Sequence, residues 1–179
     1  MAEITYQMVL GTLQTAGLLV GIFYYVTTLQ NAQKTRELTL NAQELSAETR
    51  QAQLFMQIYQ SWSSREIINI RRELSTWTWT DYDDFYQKYD EANNPEASML
   101  FQELGNWFEG VGVLVKRKLI DPTFIDDLMR GATLWGWETF GSIVKERRVQ
   151  FNAPHYYEFW EYLYNEISAI ERQHPELAP

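Results

Sequence analysis

The sequence predicts an all-α protein: an N-terminal single transmembrane helix that continues into a long helical stalk, followed by a compact helical bundle. Three observations predict it. No charged residue falls between Glu3 and Lys34. Residues 30–53 contain neither proline nor glycine and are rich in Ala, Leu, Glu, Gln, Lys and Arg, all good helix formers. Farther along, β-branched residues are scattered and apolar positions recur at helical rather than alternating spacing. The expected division is 1–33 anchor, 34–56 stalk, 57–173 helical domain and 174–179 C-terminal tail.

A helix spans a bilayer with about 20 mainly apolar residues, because its backbone groups are bonded internally across ~30 Å of hydrocarbon. Residues 8–29 meet that requirement, with Tyr6 near one end and Tyr24 and Tyr25 near the other as interfacial rings. Gln7, Thr12, Gln14 and Thr15 favour the competing reading, a buried soluble helix; the length of the uncharged run weighs against it. A cleaved signal would begin with a basic region, whereas this chain begins Met-Ala-Glu-Ile and passes from Tyr24 into polar helix. The anchor is therefore expected to be retained. Lys34 and Arg36 follow it and only Glu3 precedes it, which by the positive-inside bias puts the carboxy-terminal domain in the cytoplasm, on a single pass through the cell membrane. The absence of cysteine agrees with a reducing compartment.

The anchor also predicts partners besides the lipid bilayer. Gln7, Gly11, Gln14, Leu18, Gly21 and Tyr25 recur at steps of four and three along one face, and Gly17 to Gly21 is a small-xxx-small pair. Close backbone approach and interhelical hydrogen bonds drive association in lipid, so Gln7, Gly11, Gln14, Gly17 and Gly21 are the candidate oligomerisation residues of a homo-oligomer or larger membrane complex. A helix that merely tolerates glycine is the alternative. In the stalk, Leu38, Ala42, Leu45, Thr49, Ala52, Met56 and Tyr59 follow a heptad, a weak seam with small residues. The echo of Asn31-Ala32-Gln33 at Asn41 and, as Gln51-Ala52-Gln53, ten residues later marks no stripe, because ten residues at ~100° each do not return to the same face.

From Gln57 the chain turns aromatic, enough to build one small helical core. Asp81 is placed to cap a helix from Tyr82 toward Glu91; Asn94-Pro95 opens another through about Lys118; Asp121-Pro122 repeats the signal, with Gly131 as the expected stop. Two further helices are expected, from about Thr133 to Val149 and from about Pro154 to Gln173. Gly105 and Gly112, seven apart in the central helix, leave room for another backbone at a cost of ~1 kcal/mol each against alanine.

The run from Leu104 through Trp107-Phe108-Glu109, Gly112, Lys116 and Asp121, followed by Trp135-Gly136-Trp137-Glu138 and Glu146-Arg147-Arg148, resembles the DUF4760 family. The resemblance covers anchor and connecting helix and is strongest over 102–164; it rests on the order and spacing of short motifs. It implies a membrane-anchored helical architecture of unknown function and supplies no catalytic residues.

Glu109 stands on an aromatic, glycine-rich helix and, if buried, needs a partner. Arg147 or Arg148, joined by Glu138, is expected to form a structural ion-pair network with it, in preference to a catalytic acid. Glu171 and His174 have the Glu-x-x-His spacing of di-iron bundles, but such a centre needs two of these motifs and ligands from four helices, so this one reads as solvated tail. His155 reads as a surface or cap residue. Asp81, Asp83, Asp84, Asp90 and Glu91, interleaved with Tyr82, Phe85, Tyr86 and Tyr89, lack an EF-hand's glycine turn and read as a solvated acidic face.

With two histidines, no cysteine and no phosphate-binding glycine loop, cysteine hydrolases, zinc fingers and Walker-type sites have no support, and no cofactor is expected. The net charge of −9 disfavours nucleic acid, although Lys116-Arg117-Lys118 is a local basic patch. The function expected is that of an interaction or structural protein that self-associates or serves a membrane complex, rather than an enzyme. The alternative is a membrane-tethered enzyme or ligand sensor built around Glu109, Glu138, Arg147 and Arg148, its small molecule unspecified.

Overall fold

The computed structural model describes residues 6–173. The chain forms six α-helices: α1 (Tyr6–Trp62), α2 (Arg65–Leu74), α3 (Tyr82–Tyr89), α4 (Pro95–Lys116), α5 (Pro122–Gln150) and α6 (Glu158–Gln173). No strand occurs among the described residues, and the fold is all-α. Two compact units divide the chain, Met1–Thr49 and Arg50–Pro179.

The first unit consists, where described, of α1 alone. Its apolar part is long and apolar enough to cross a membrane. Leu13, Leu18, Leu19, Val20, Ile22 and Phe23 are all exposed. Its threonines are satisfied within the helix: the hydroxyls of Thr15, Thr27 and Thr28 donate to the carbonyls of Gly11, Phe23 and Tyr24, at 2.9, 2.7 and 2.8 Å. Such back-bonding lets a hydroxyl sit in an apolar span without an unmet donor. Leu38, Ala42, Leu45 and Thr49, the first half of the heptad, are also exposed.

In the second unit the last turns of α1 enter the core through Phe55, Ile58 and Trp62. The rest of the expected seam, Ala52, Met56 and Tyr59, faces away, because the larger apolar set at 55, 58 and 62 has the same three-four spacing and takes the core instead. Helix α2 did not register in the sequence reading. Ser64 caps it, accepting from the Ile67 N–H at 3.2 Å, and Ile67, Ile70 and Leu74 form its buried face. Asp81 and Asn94 cap α3 and α4 as expected, accepting from the N–H groups of Asp84 and Ala97.

Two boundaries differ from expectation. Gly131 does not stop a helix; α5 runs through it, and no glycine has the positive φ that a glycine helix end requires. Helix α6 starts at Glu158 rather than near Pro154, because 151–157 is a series of turns in which Asn152 and Tyr157 take φ of 49° and 52°.

The core is aromatic. Phe85, Phe101, Phe108, Phe140 and Trp160 are fully enclosed, each such burial stabilising the fold by roughly 1.5–3 kcal/mol. Phe108 on α4 and Trp160 on α6 stack with centroids 5.0 Å apart, and Trp77 lies flat on Tyr89 at 4.0 Å. This packing brings α4 and α5 against α6, which places the polar groups described next.

Candidate functional site

Helix α4 presents Gly105, Glu109 and Gly112 on one face, at steps of four and three. A Cβ on Gly112 would stand 2.0 Å from the Phe159 carbonyl oxygen, and one on Gly105 would stand 2.5 Å from the Tyr157 ring. The two glycines are the room that α6 and the turn before it occupy. Between them the Glu109 carboxylate accepts the Trp160 N–H at 2.7 Å, and the Phe159 N–H also bonds to it. These are first-turn donors of α6, which have no partner inside their own helix. Glu109 thus caps the N-terminus of α6 from another helix, and its charge lies at the positive end of the α6 dipole. Burial raises the Glu109 carboxyl above the usual glutamate value, and the two backbone hydrogen bonds oppose that rise.

Both arginines of the expected network are present, with other carboxylates. Arg147, on the last turn of α5, is buried and donates to Asp90 at 2.6 Å and to the Tyr156 hydroxyl at 3.3 Å. Its guanidinium lies 4.9 Å from the Phe101 ring centroid, while its Nε is buried without a hydrogen bond. Arg148 pairs with Glu161 on α6, and its remaining donors reach the Tyr156 and Tyr157 carbonyls at 2.8 and 3.0 Å. Lys145 joins Glu161 at 3.4 Å; burial pushes the Glu161 carboxyl up, and the hydrogen bonds and charges of Arg148 and Lys145 together outweigh it and hold the carboxyl low. Glu138 is exposed and forms no ion pair among the described residues. The structure therefore divides the expected network of Glu109, Glu138, Arg147 and Arg148 among separate partners.

Tyr157 fastens the turn. Its hydroxyl donates to the Gln102 carbonyl at 3.3 Å and lies 3.2 Å from the Asn106 Oδ1. Burial pushes that phenol far above the ordinary tyrosine range. A cavity of about 370 Å³ opens beside Arg147, with Asp90, Ser98, Gln102 and Tyr157 on its walls. Glu109, Glu138 and Arg148 do not line it.

Sequence reasoning did not find Asp90, which it assigned to the solvated acidic face. The structure buries Asp90 as the C-cap of α3 and gives it to Arg147. The other acids of that run divide by role. Asp81 caps, Asp84 accepts from Lys88 at 2.8 Å, and Asp83 and Glu91 are exposed. His155 Nδ1 lies 2.9 Å from Glu158 on the surface, whereas His174 lies outside the described residues. No group of three or more His, Cys, Asp or Glu able to hold a metal ion occurs among the described residues. In α1, a Cβ added to Gly11, Gly17 or Gly21 would meet no atom within 4 Å, Gln14 is exposed, and the Gln7 side chain lies outside the described residues.

What fold and geometry define together is an all-α domain whose buried charges clasp helices to one another, preceded by a helix able to cross a membrane. The chain belongs to the family described as Domain of unknown function (DUF4760), whose pattern matches residues 12–167. No curated protein and no solved structure matches it.

Proposed function

We propose that the protein is a single-pass membrane protein of the cell membrane that acts by association, either as a homo-oligomer or as an accessory subunit of a larger membrane complex, and not by catalysis. The observation that carries this reading is the uncovered face of α1: Gly11, Gly17 and Gly21 meet nothing in their own chain. Each glycine inside a helix costs about 1 kcal/mol against alanine, a cost that close helix packing in lipid offsets. The exposed heptad positions Leu38 and Leu45 extend the same logic beyond the span. Lys34 and Arg36 favour an orientation with the second unit in the cytoplasm. The charged groups of the second unit support this reading as well, since Arg147, Arg148 and Glu109 are engaged in holding helices together.

The test is the mass of the full-length protein gently extracted from its membrane, with everything that co-purifies identified by mass spectrometry. A discrete oligomer or a stoichiometric partner is the expected result. A strict monomer without a partner would sink the proposal.

A further inference from the structure

A second cleft lies away from the clasps, between α2 and α5. It encloses about 480 Å³, within the range of small-molecule sites, and Trp62, Ile68, Arg71, Arg72, Gly131 and Trp135 are on its walls. Its charge is unbalanced. Arg130, Arg147 and Arg148 each pair with a carboxylate, whereas neither Arg71 nor Arg72 has one among the described residues, in a chain of net charge −9. Glu66 and Glu73, on the same helix, pair with neither. Arg71 is half-buried and lies over the Trp62 ring, 4.2 Å from its centroid, so its fork is held in place by an aromatic face rather than by a counter-ion. Burial also opposes its charged form, a cost that an anion in the cleft would relieve.

Gly131 is an independent observation. It is a glycine in the interior of α5 with helical φ, and a Cβ there would meet nothing within 4 Å. No packing inside the chain requires it, in contrast to Gly136 on the same helix, where a Cβ would stand 2.8 Å from the Phe108 ring. Gly131 is exposed and lies on the cleft wall, so a longer side chain there has the cleft to enter.

We propose that the cleft between α2 and α5 binds an anionic amphiphile, its carboxylate or phosphate head taken by Arg71 and Arg72 and its apolar body laid along Trp62, Ile68 and Trp135. The guanidinium forks match either oxyanion in a bidentate way, and the aromatic and aliphatic wall supplies the rest of the contact. A membrane lipid and a soluble metabolite both offer this chemistry.

The experiment is calorimetric titration of the full-length protein in phosphatidylcholine nanodiscs with hexyl phosphate and with octanoate, after subtraction of empty nanodiscs. Saturable binding of at least one amphiphile is expected, with inorganic phosphate and hexanol each binding more weakly. Arg71→Gln and Arg72→Gln should each weaken binding on the order of tenfold, as loss of a charge-assisted hydrogen bond does. Gly131→Met should fill the cleft and abolish binding, whereas Gly131→Ala should retain it and raise the melting temperature. Absence of saturable binding by the wild-type protein overturns the proposal. So does binding that persists undiminished in the folded Arg71→Gln/Arg72→Gln double variant. If Gly131→Met fails to fold, the arginine variants decide. Replacing part of the phosphatidylcholine by phosphatidate separates the sources: competition with hexyl phosphate assigns the head group to a lipid, and unchanged affinity assigns it to a soluble ligand.

Discussion

Two sets of helical glycines sit in opposite surroundings. In the second unit, Gly105, Gly112, Gly136 and Gly141 each face an atom closer than 3 Å to where a Cβ would be, while Gly11, Gly17 and Gly21 in the first unit face nothing. The residue type and its cost to a helix are the same in both. At those four positions of α4 and α5 the cost is met by packing already complete inside the chain, so those glycines report on folding, whereas Gly110 and Gly131 on the same two helices face open space. In α1 nothing in the chain meets it, which is what the proposed association in the membrane would supply.

The strongest test of the completed side of this comparison is the buried pair. Asp90→Ala leaves the Arg147 guanidinium enclosed without its carboxylate, and the expected loss is about 3–5 kcal/mol of unfolding free energy, read by chemical denaturation. Next comes Gly112→Ala, which drives a methyl into the Phe159 carbonyl, a backbone atom that cannot swing aside. It should cost about 1–3 kcal/mol, and a variant as stable as the parent would show that α6 has room to shift.

Glu109→Ala removes the cap of α6 and should cost about 1 kcal/mol, whereas Glu109→Gln keeps an acceptor for the Trp160 N–H and should cost less. Those two variants also separate charge from hydrogen bonding. Because the folded Glu109 carboxyl titrates above its unfolded value, the folded state binds the extra proton between the two, and the Glu109 contribution to stability falls as pH rises through that window. The difference in stability between parent and Glu109→Gln should therefore shift in the Gln variant's favour from pH 4 toward neutrality, measured by denaturant titration at several pH values. A pH-independent difference would mean the carboxyl is not perturbed.

The smallest effect on folding belongs to α1. Gly17→Leu and Gly21→Leu should leave the melting of the second unit unchanged while dispersing the proposed assembly, as read by native mass measurement. An assembly of unaltered mass would place the contact elsewhere on the helix.

The same contrast between local and long-range demands explains what was legible. Local rules found the caps at Asp81, Asn94 and Asp121, the prolines that follow two of them, and the need for space at Gly105 and Gly112. They missed α2, although Ser64 ahead of an Ile67, Ile70, Leu74 face was a readable start. They misjudged Gly131, because a glycine ends a helix only by adopting positive φ, which residue type alone does not impose. The pairing of Arg147 with Asp90 joins residues on α5 and at the end of α3, and nothing near either position in the chain distinguishes Asp90 from the exposed acids beside it. Arg148 went to Glu161 for the same reason: partner choice among several carboxylates is decided by packing.

The cap that Glu109 provides has a kinetic side. A helix opened by its own Asp, Asn or Ser can begin to form before the chain collapses, as α2, α3, α4 and α5 are equipped to do. Helix α6 draws its first-turn acceptor from Glu109, far back in the sequence on α4, so its start is completed only when the two helices meet. A peptide of 156–173 should accordingly show little helical circular dichroism, and in the whole protein Glu109→Ala should speed unfolding more than it slows folding. On these expectations the end of the domain arrives last.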